Sequence, residues 1–348
     1  MPVLIRPSSP DHHLFARGGS GGARAGATGN DRDRIDCVDI GLINNMPDSA
    51  LVSTERQLFD LLSAAAGTSV IRLHLFTMQT TPRTIWGGDY VRRFYLGIND
   101  LFASNLDGII VTGAEPTTER LTDEPYWQSF VQVVDWAREN TTSAVYSCLA
   151  VHGAVQHLDG IERHPLAEKC IGVFNQTRLA DHPLMLGIPE RLAIPHSRWN
   201  EVREGALTQN GYTVLTRSHR AGVDCFVKRH RRSLFVGFQG HPEYEAQSLL
   251  GEYRRDIARF LRRENDIYPT MPHGYFSEMQ EETLAGFKRE ALSEMRPELL
   301  ASFPVDRLAR QLKQTWHSAA SRIYRNWISY LSSQKAERSK MVNVESFA

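Results

Sequence analysis

The residues best suited to covalent chemistry are one cysteine at a corner and a histidine–glutamate pair about 90 residues later. Cys148 sits in Ser143-Ala-Val-Tyr-Ser-Cys-Leu-Ala-Val-His152, where a short β-prone run gives way to helical apolar spacing at Leu149, Val151, Val155 and Leu158. The pattern predicts a strand, a tight turn and a helix, with a thiol at the bend. Such a thiol is presented at the carboxyl edge of a sheet. N–H groups opening the next helix lower a thiol pKa and can cradle an oxyanion. His241 and Glu243 flank Pro242 just after the apolar run Ser233-Leu-Phe-Val-Gly-Phe238. In extended chain, residues two apart face one side, and the proline stiffens the pair. A cysteine nucleophile needs a base, and the base needs a group that fixes its tautomer and supports its charge. Each signal has a plainer reading, a buried core cysteine in one case and a capped turn in the other. Their co-occurrence favours a nucleophile, base and supporting carboxylate.

The elements that must position these residues alternate in type. Strand-like runs over 35–43, 70–76 and 106–113 are separated by helical spacing at Leu51, Leu58, Leu61 and Leu62 and by an amphipathic stretch over 127–138. Residues 77–100 read as a long loop or lid. Alternation of buried strands with helices predicts an α/β fold with a mostly parallel sheet flanked by helices. Ligands gather at the carboxyl ends of such strands, so the loops at 44–47 and 112–117 should converge on Cys148. Later runs at 194–198, 212–216, 223–227 and 233–238 read as shorter strands joined by turns. A helix over 246–263 carries Leu249, Tyr253, Ile257 and Leu261 inward. Residues 1–34, rich in Gly, Arg, Ser and Asp, bury too little apolar surface to offset ordering entropy and read as a mobile tail. The organisation expected is that tail, a catalytic domain over 35–265 and a C-terminal helical extension over 266–348.

Composition narrows the function classes. The 348 residues carry 40 Lys plus Arg against 40 Asp plus Glu, so no electrostatic footprint favours nucleic acid or an anionic membrane surface. Cys37, Cys148, Cys170 and Cys225 are far apart with no Cys-x-x-Cys pair, which reads as free thiols in a reducing compartment and not as a disulfide frame or metal cage. No apolar run approaches the roughly 20 residues that span a bilayer, and the N-terminus lacks a hydrophobic signal core. A soluble cytoplasmic protein acting on small molecules is expected.

The motifs then carry a family resemblance. A cysteine elbow followed by His-Pro-Glu resembles the class I glutamine amidotransferase fold. The chain is more specifically similar to the homoserine O-acyltransferase family, the O-succinyltransferases and O-acetyltransferases built on that fold. The match runs from Ile40-Gly-Leu-Ile-Asn-Asn-Met-Pro47 and Thr54-Glu55 through Ile110-Val-Thr-Gly-Ala114, Tyr126-Trp127, Cys148 and Lys169. It continues through Gly172-Val-Phe174, Pro195-His-Ser-Arg198, Gly240-His-Pro-Glu-Tyr244 and Glu252-Tyr-Arg-Arg-Asp256 to Trp316 and Tyr324-Arg-Asn-Trp327. The resemblance implies an acyl-thioester on Cys148, proton transfer by His241 and support from Glu243. It implies substrate binding by Lys169, Ser197 and Arg255. Without it, Lys169 and Arg255 read as solvated charges and Ser197 as a turn residue. Glu252, one helical turn before Arg255, is placed to meet a substrate amino group while Arg255 meets its carboxylate. No bound cofactor or metal is implied; acyl-CoA is a co-substrate and homoserine the acceptor, in methionine synthesis.

The sequence departs from the family around the acyl site. A lysine usually follows Met-Pro; here Asp48-Ser-Ala-Leu-Val does. Trp-Gly-Ala-Gln usually follows the nucleophile; here it is Leu149-Ala-Val-His152. The family position separating succinyl from acetyl donors, usually glycine or glutamate, falls on Thr117, with Glu115 two residues earlier. A carboxylate there repels succinate and a small residue leaves room, so Thr117 favours succinyl and Glu115 opposes it. An insertion over 277–312 has helical spacing at Met279, Leu284, Phe287 and Leu292. It reads as a solvated hairpin, with a lid or a homodimer contact as the alternatives. Competing functions are acetyl transfer, serine as acceptor, a glutaminase, which the missing glycines around Cys148 disfavour, and a catalytically silent binding module.

Overall fold

Consecutive apolar residues need cover on both faces, and the central strands have it. The computed structural model describes residues 3–6, 12–16, 37–114 and 116–345. In chain order the first half is β1 (Val3–Arg6), α1 (His13–Ala16), β2 (Cys37–Ile43), α2 (Asp48–Ala65), β3 (Val70–Phe76), α3 (Ile85–Phe94), α4 (Ile98–Phe102), β4 (Gly108–Val111), α5 (Trp127–Asn140), β5 (Ser143–Ser147) and α6 (Leu149–Asp159). The second is β6 (His164–Arg178), β7 (Arg191–Glu201), α7 (Glu204–Gln209), β8 (Thr213–Val214), β9 (Thr216–Ser218), β10 (Gly222–Val223), β11 (Cys225–His230), β12 (Ser233–Phe238), α8 (Ser248–Leu261), α9 (Glu278–Glu294), α10 (Val305–Ala309) and α11 (His317–Glu345).

The main sheet has the order β1-β3-β2-β4-β5-β12-β11-β8. Pairing is parallel from β1 through β12 and antiparallel for β11 and β8. The chain passes from β2 to β3 on one side and then to β4 on the other, so strand order reverses between β2 and β4. A crevice opens at such a switch point outside the carboxyl ends of the strands. One face packs on α2 and α11 through Leu58, Leu62, Tyr324, Trp327 and Leu331. The other packs on α5 and α6 through Phe130, Val134, Val151 and Val155. A separate antiparallel sheet, β10-β9-β6-β7, stands over the carboxyl edge. Among the described residues no helix is long and apolar enough to cross a membrane.

Three local expectations are corrected. The N-terminal stretch is not wholly a mobile tail: Val3 and Ile5 are fully buried, and β1 extends the parallel sheet beyond β3. Two alternating apolar residues suffice for an edge strand, and averaging over a polar stretch hides them. Residues 77–100 contain α3 and the start of α4, with the Thr84 hydroxyl accepting the Gly87 N–H at the start of α3. In the insertion, Leu284, Phe287 and Ala291 of α9 pack with Leu250, Tyr253 and Ile257 of α8, whereas Met279 and Leu292 are exposed. The 280/284/287/291 face is buried, and a residue one step off that face points about 100° away.

The end of the chain belongs to the same core. Trp316 and Trp327 are fully buried. The Trp327 indole donates to Ser143 Oγ (2.9 Å), and Ser143 Oγ donates to the Leu234 carbonyl (2.7 Å). The terminal helix therefore pins the start of the cysteine strand to β12.

Candidate active site

The elbow forms as its residues suggest. Cys148 has φ 51° and ψ −114° between β5 and α6, a region that costs a non-glycine residue strain. Its N–H donates to the Phe238 carbonyl (2.8 Å), which ties the corner to the end of β12. Gly113, at the end of β4, lets the neighbouring loop approach: a Cβ there would lie 2.9 Å from Leu149 Cβ and 3.0 Å from its nitrogen. The opening N–H groups of α6 and the Gly113 loop thus flank the sulfur.

The chain leaving β12 delivers the base. Gly240 N–H donates to Asp224 Oδ1 (3.0 Å) and His241 N–H to the Pro195 carbonyl (2.8 Å). A side chain at 240 would sit 2.7 Å from Asp224 Oδ1 and 2.8 Å from the Pro195 oxygen, so the approach requires glycine. His241 Nδ1–H donates to Glu243 Oε1 (2.8 Å), leaving the other ring nitrogen within hydrogen-bonding reach of the Cys148 sulfur. The Tyr244 ring stacks on the imidazole at 4.1 Å and 14°. Burial alone pulls the His241 pKa down, but the negative charges of Cys148 and Glu243 outweigh it and hold the imidazolium well above its ordinary range. Burial pushes Asp224 up to about 6, against the Gly240 N–H and the Thr216 hydroxyl that favour its charged form.

A second cluster faces this set. Lys169 on β6 places Nζ 2.7 Å from Asp256 and 3.4 Å from Glu252, both on α8. The hydroxyls of Ser197 and Tyr244 both donate to Glu252. Burial raises the Glu252 pKa, but Lys169 first and then these hydroxyls bring it below the usual carboxylate value. Arg255 lies half-exposed at the rim, its Nη2 3.7 Å from Glu252. Cys148, His241, Glu243, Lys169, Ser197, Glu252 and Arg255 all line one cavity of about 190 Å³. The topology therefore brings together all seven catalytic and substrate-binding candidates from β5, β6, β7, the loop after β12 and α8.

The donor-specificity pair behaves differently. Thr117 is turned away from the cavity wall: its N–H (2.6 Å) and hydroxyl (2.9 Å) both donate to Glu124, and Pro116 lines the wall instead. Glu115 lies outside the described residues. A wider cleft, about 1190 Å³, opens at the amino ends of the strands beside Asp39, Asp107 and Lys335 and holds none of the candidates.

Sequence reasoning missed several contributors. Asp256 lies four residues after Glu252 on one helix face, the spacing that signals a shared partner. Tyr244 follows His-Pro-Glu directly, and only the fold shows its ring on His241. Asp224 and the Pro195 carbonyl left no local signal, since both act through sheet packing. His152 is buried in the wall, with Nε2 2.9 Å from Gln239 Oε1. That oxygen also accepts the Val202 N–H (2.7 Å), so Nε2 carries the proton. Burial pushes the imidazole down to about 3, and His152 stays neutral.

Fold and site together define a class: an α/β protein with a strained cysteine elbow facing a histidine–glutamate pair at the carboxyl edge of a mostly parallel sheet. Within it, the chain belongs to the homoserine O-succinyltransferase family, which it matches over residues 2–338. It is 47% identical over 310 residues to a homoserine O-succinyltransferase from Bradyrhizobium japonicum, covering 89% of this chain and 94% of that protein. It is 42% identical to one from Rhodopseudomonas palustris, covering 95% of each. Among solved structures, a glutamine amidotransferase from Thermotoga maritima aligns over 85% of this chain and 98% of its own, with TM-score 0.46 and 11% identity.

Proposed function

We propose that this chain moves the succinyl group of succinyl-CoA to the hydroxyl of L-homoserine, a step of methionine biosynthesis, through a thioester on Cys148. The observation carrying this reading is the Cys148–His241–Glu243 set opening into the same cavity as Glu252 and Arg255. Cys148 sulfur attacks the thioester carbonyl, the adjacent N–H groups stabilise the oxyanion, and CoA leaves as its thiol with the proton held by His241. The homoserine hydroxyl then gives its proton to His241 as its oxygen attacks the acyl-enzyme. The Cys148 sulfur departs as thiolate beside the imidazolium, which restores the starting ion pair. Glu243 orients the ring and supports its charge throughout.

The acceptor's ammonium group is assigned to Glu252 and its carboxylate to Arg255, with Lys169 and Ser197 holding Glu252 in place. The chemistry is assigned to residues 35–265, and 266–348 supports it: Gln314 (2.7 Å) and Trp316 (2.8 Å) both donate to the carbonyl of Tyr244. Small-molecule substrates, no resident cofactor and a cytoplasmic setting complete the reading, and the four free thiols suit a reducing compartment.

Incubation with succinyl-CoA alone should add one succinyl mass to the peptide containing Cys148, and homoserine should then discharge it. Cys148→Ala should abolish both events while leaving the thermal unfolding curve close to that of the wild type. Label on Cys37, Cys170 or Cys225 would refute the assignment. Preference for acetyl-CoA, or for serine over homoserine, would keep the mechanism and change the substrates.

A further inference from the structure

A succinyl group differs from an acetyl group by a terminal carboxylate, and a site that selects it needs a cation at the far end of the acyl pocket. The cations around the cavity are mostly committed elsewhere. Lys169 is paired with Asp256 and Glu252. Arg198 donates to the Asn200 and Ala221 carbonyls. Arg255 and Arg259 project from α8, on the side assigned to the acceptor.

Arg163, in the segment between α6 and β6, differs. It is half-buried and shares the cavity wall with Cys148, Gly113, Ala114 and Pro116. Its Nη2 donates to the Glu119 carbonyl (2.9 Å), which helps hold the guanidinium in place. Its Nη1 is shut off from solvent and has no hydrogen-bond partner among the described residues. Glu124 in the adjacent loop already accepts the N–H and hydroxyl groups of both Thr117 and Thr118. Burial lowers the Arg163 pKa, with Tyr126 and Glu124 opposing, yet a guanidinium remains charged. A buried donor without a partner costs free energy that an incoming acceptor recovers.

We propose that Arg163 receives the terminal carboxylate of the succinyl group and thereby selects the donor. This rests on the reading that Cys148 takes its acyl group from CoA. On binding, the guanidinium turns its buried Nη1 toward the cavity and the carboxylate accepts from it, a charge-assisted bond for which an acetyl methyl group has no equivalent. Neutral His152 adds no competing charge. Thr117, held on Glu124, brings no carboxylate of its own to pair with Arg163.

The test compares wild type, Arg163→Ala and Arg163→Lys with succinyl-CoA, acetyl-CoA and butyryl-CoA, the last matching succinyl in chain length without its charge. In Arg163→Ala the ratio of kcat/KM for succinyl-CoA to that for acetyl-CoA should fall about 10- to 100-fold, mainly through the KM for succinyl-CoA. The preference for succinyl-CoA over butyryl-CoA should collapse in parallel. Arg163→Lys keeps the charge and should retain most of the selectivity; should the alanine variant fold poorly, Arg163→Gln supplies the same ratios. Donor ratios equal to those of wild type in the alanine or glutamine variant would overturn the proposal. A wild type that transfers from none of the three donors would instead overturn the acyltransfer reading, so the two failures are separable.

Discussion

At the scale of single residues, reactivity comes from one positive group held between two negative ones, the His241 imidazolium between the Cys148 thiolate and the Glu243 carboxylate. His241 is held in its charged form by the negative charges on either side, and removing one of them lowers its pKa. In Glu243→Gln the alkaline limb of the pH profile for Cys148 acylation should therefore move to lower pH. His241→Asn removes the proton carrier and should cost about 100- to 10,000-fold in turnover, with Glu243→Gln less impaired. Pre-steady-state acylation by succinyl-CoA across pH measures both effects. An alkaline limb that stays in place in the glutamine variant would mean that Glu243 orients the ring without tuning it.

At the scale of elements, the nucleophile depends on how β5 and β12 are locked in register. Phe238 stands opposite Ser147, and the Phe238 carbonyl accepts the Cys148 N–H just beyond the ladder. At the other end of the pair, Ser143 Oγ links the Leu234 carbonyl to the Trp327 indole from α11. Ser143→Ala would strand a buried indole N–H and take one donor from a buried carbonyl. The cost should be about 1–3 kcal/mol, read as a lower denaturant midpoint with an unchanged slope. Wild-type stability in this variant would show that the Ser143 link adds nothing to the docking of α11.

At the scale of the whole molecule, the edge opposite the site is held by charge. Asp39 on β2 accepts from Arg72 Nε (2.7 Å) and His74 Nε2 (3.0 Å) on β3. Lys335 of α11 donates to Asp107 (2.8 Å) and to the Cys37 carbonyl (2.8 Å), joining the last helix to the first core strands. Burial pushes the Asp39 pKa up, but hydrogen bonds from His74 and Arg72 and their charges hold it well below the ordinary 3.8. A depressed carboxyl pKa contributes stability that is fully present above the unfolded value and is lost as pH falls toward the folded one. Asp39→Asn should therefore be less stable than wild type by about 1–3 kcal/mol at neutral pH, with the gap closing as pH drops below 3.8. Urea unfolding across that range tests it, and a gap independent of pH would assign the loss to packing.

The sequence by itself determined the identities and local geometry of the reactive groups. A small-residue corner between strand and helix marked Cys148, and two-residue spacing across Pro242 marked His241 and Glu243, because their signals lie within a few bonds of one another. The family motifs added Lys169, Ser197 and Arg255, which no local pattern distinguishes from surface residues, and helical spacing from Arg255 added Glu252. Tertiary structure alone decided what these groups meet. Lys169 is paired and not solvated because the antiparallel sheet lays β6 against α8, and His241 stands opposite Cys148 because β12 pairs with β5. Val3 and Ile5 are core and not tail because β3 has an open edge for them to extend. Among the described residues Nη1 of Arg163 has no partner, and the nearby Glu124 is taken up by the 117–118 loop. Partners distant in sequence are chosen by which surfaces the sheets and helices bring into contact, and that choice is energetic only once the chain has closed on itself.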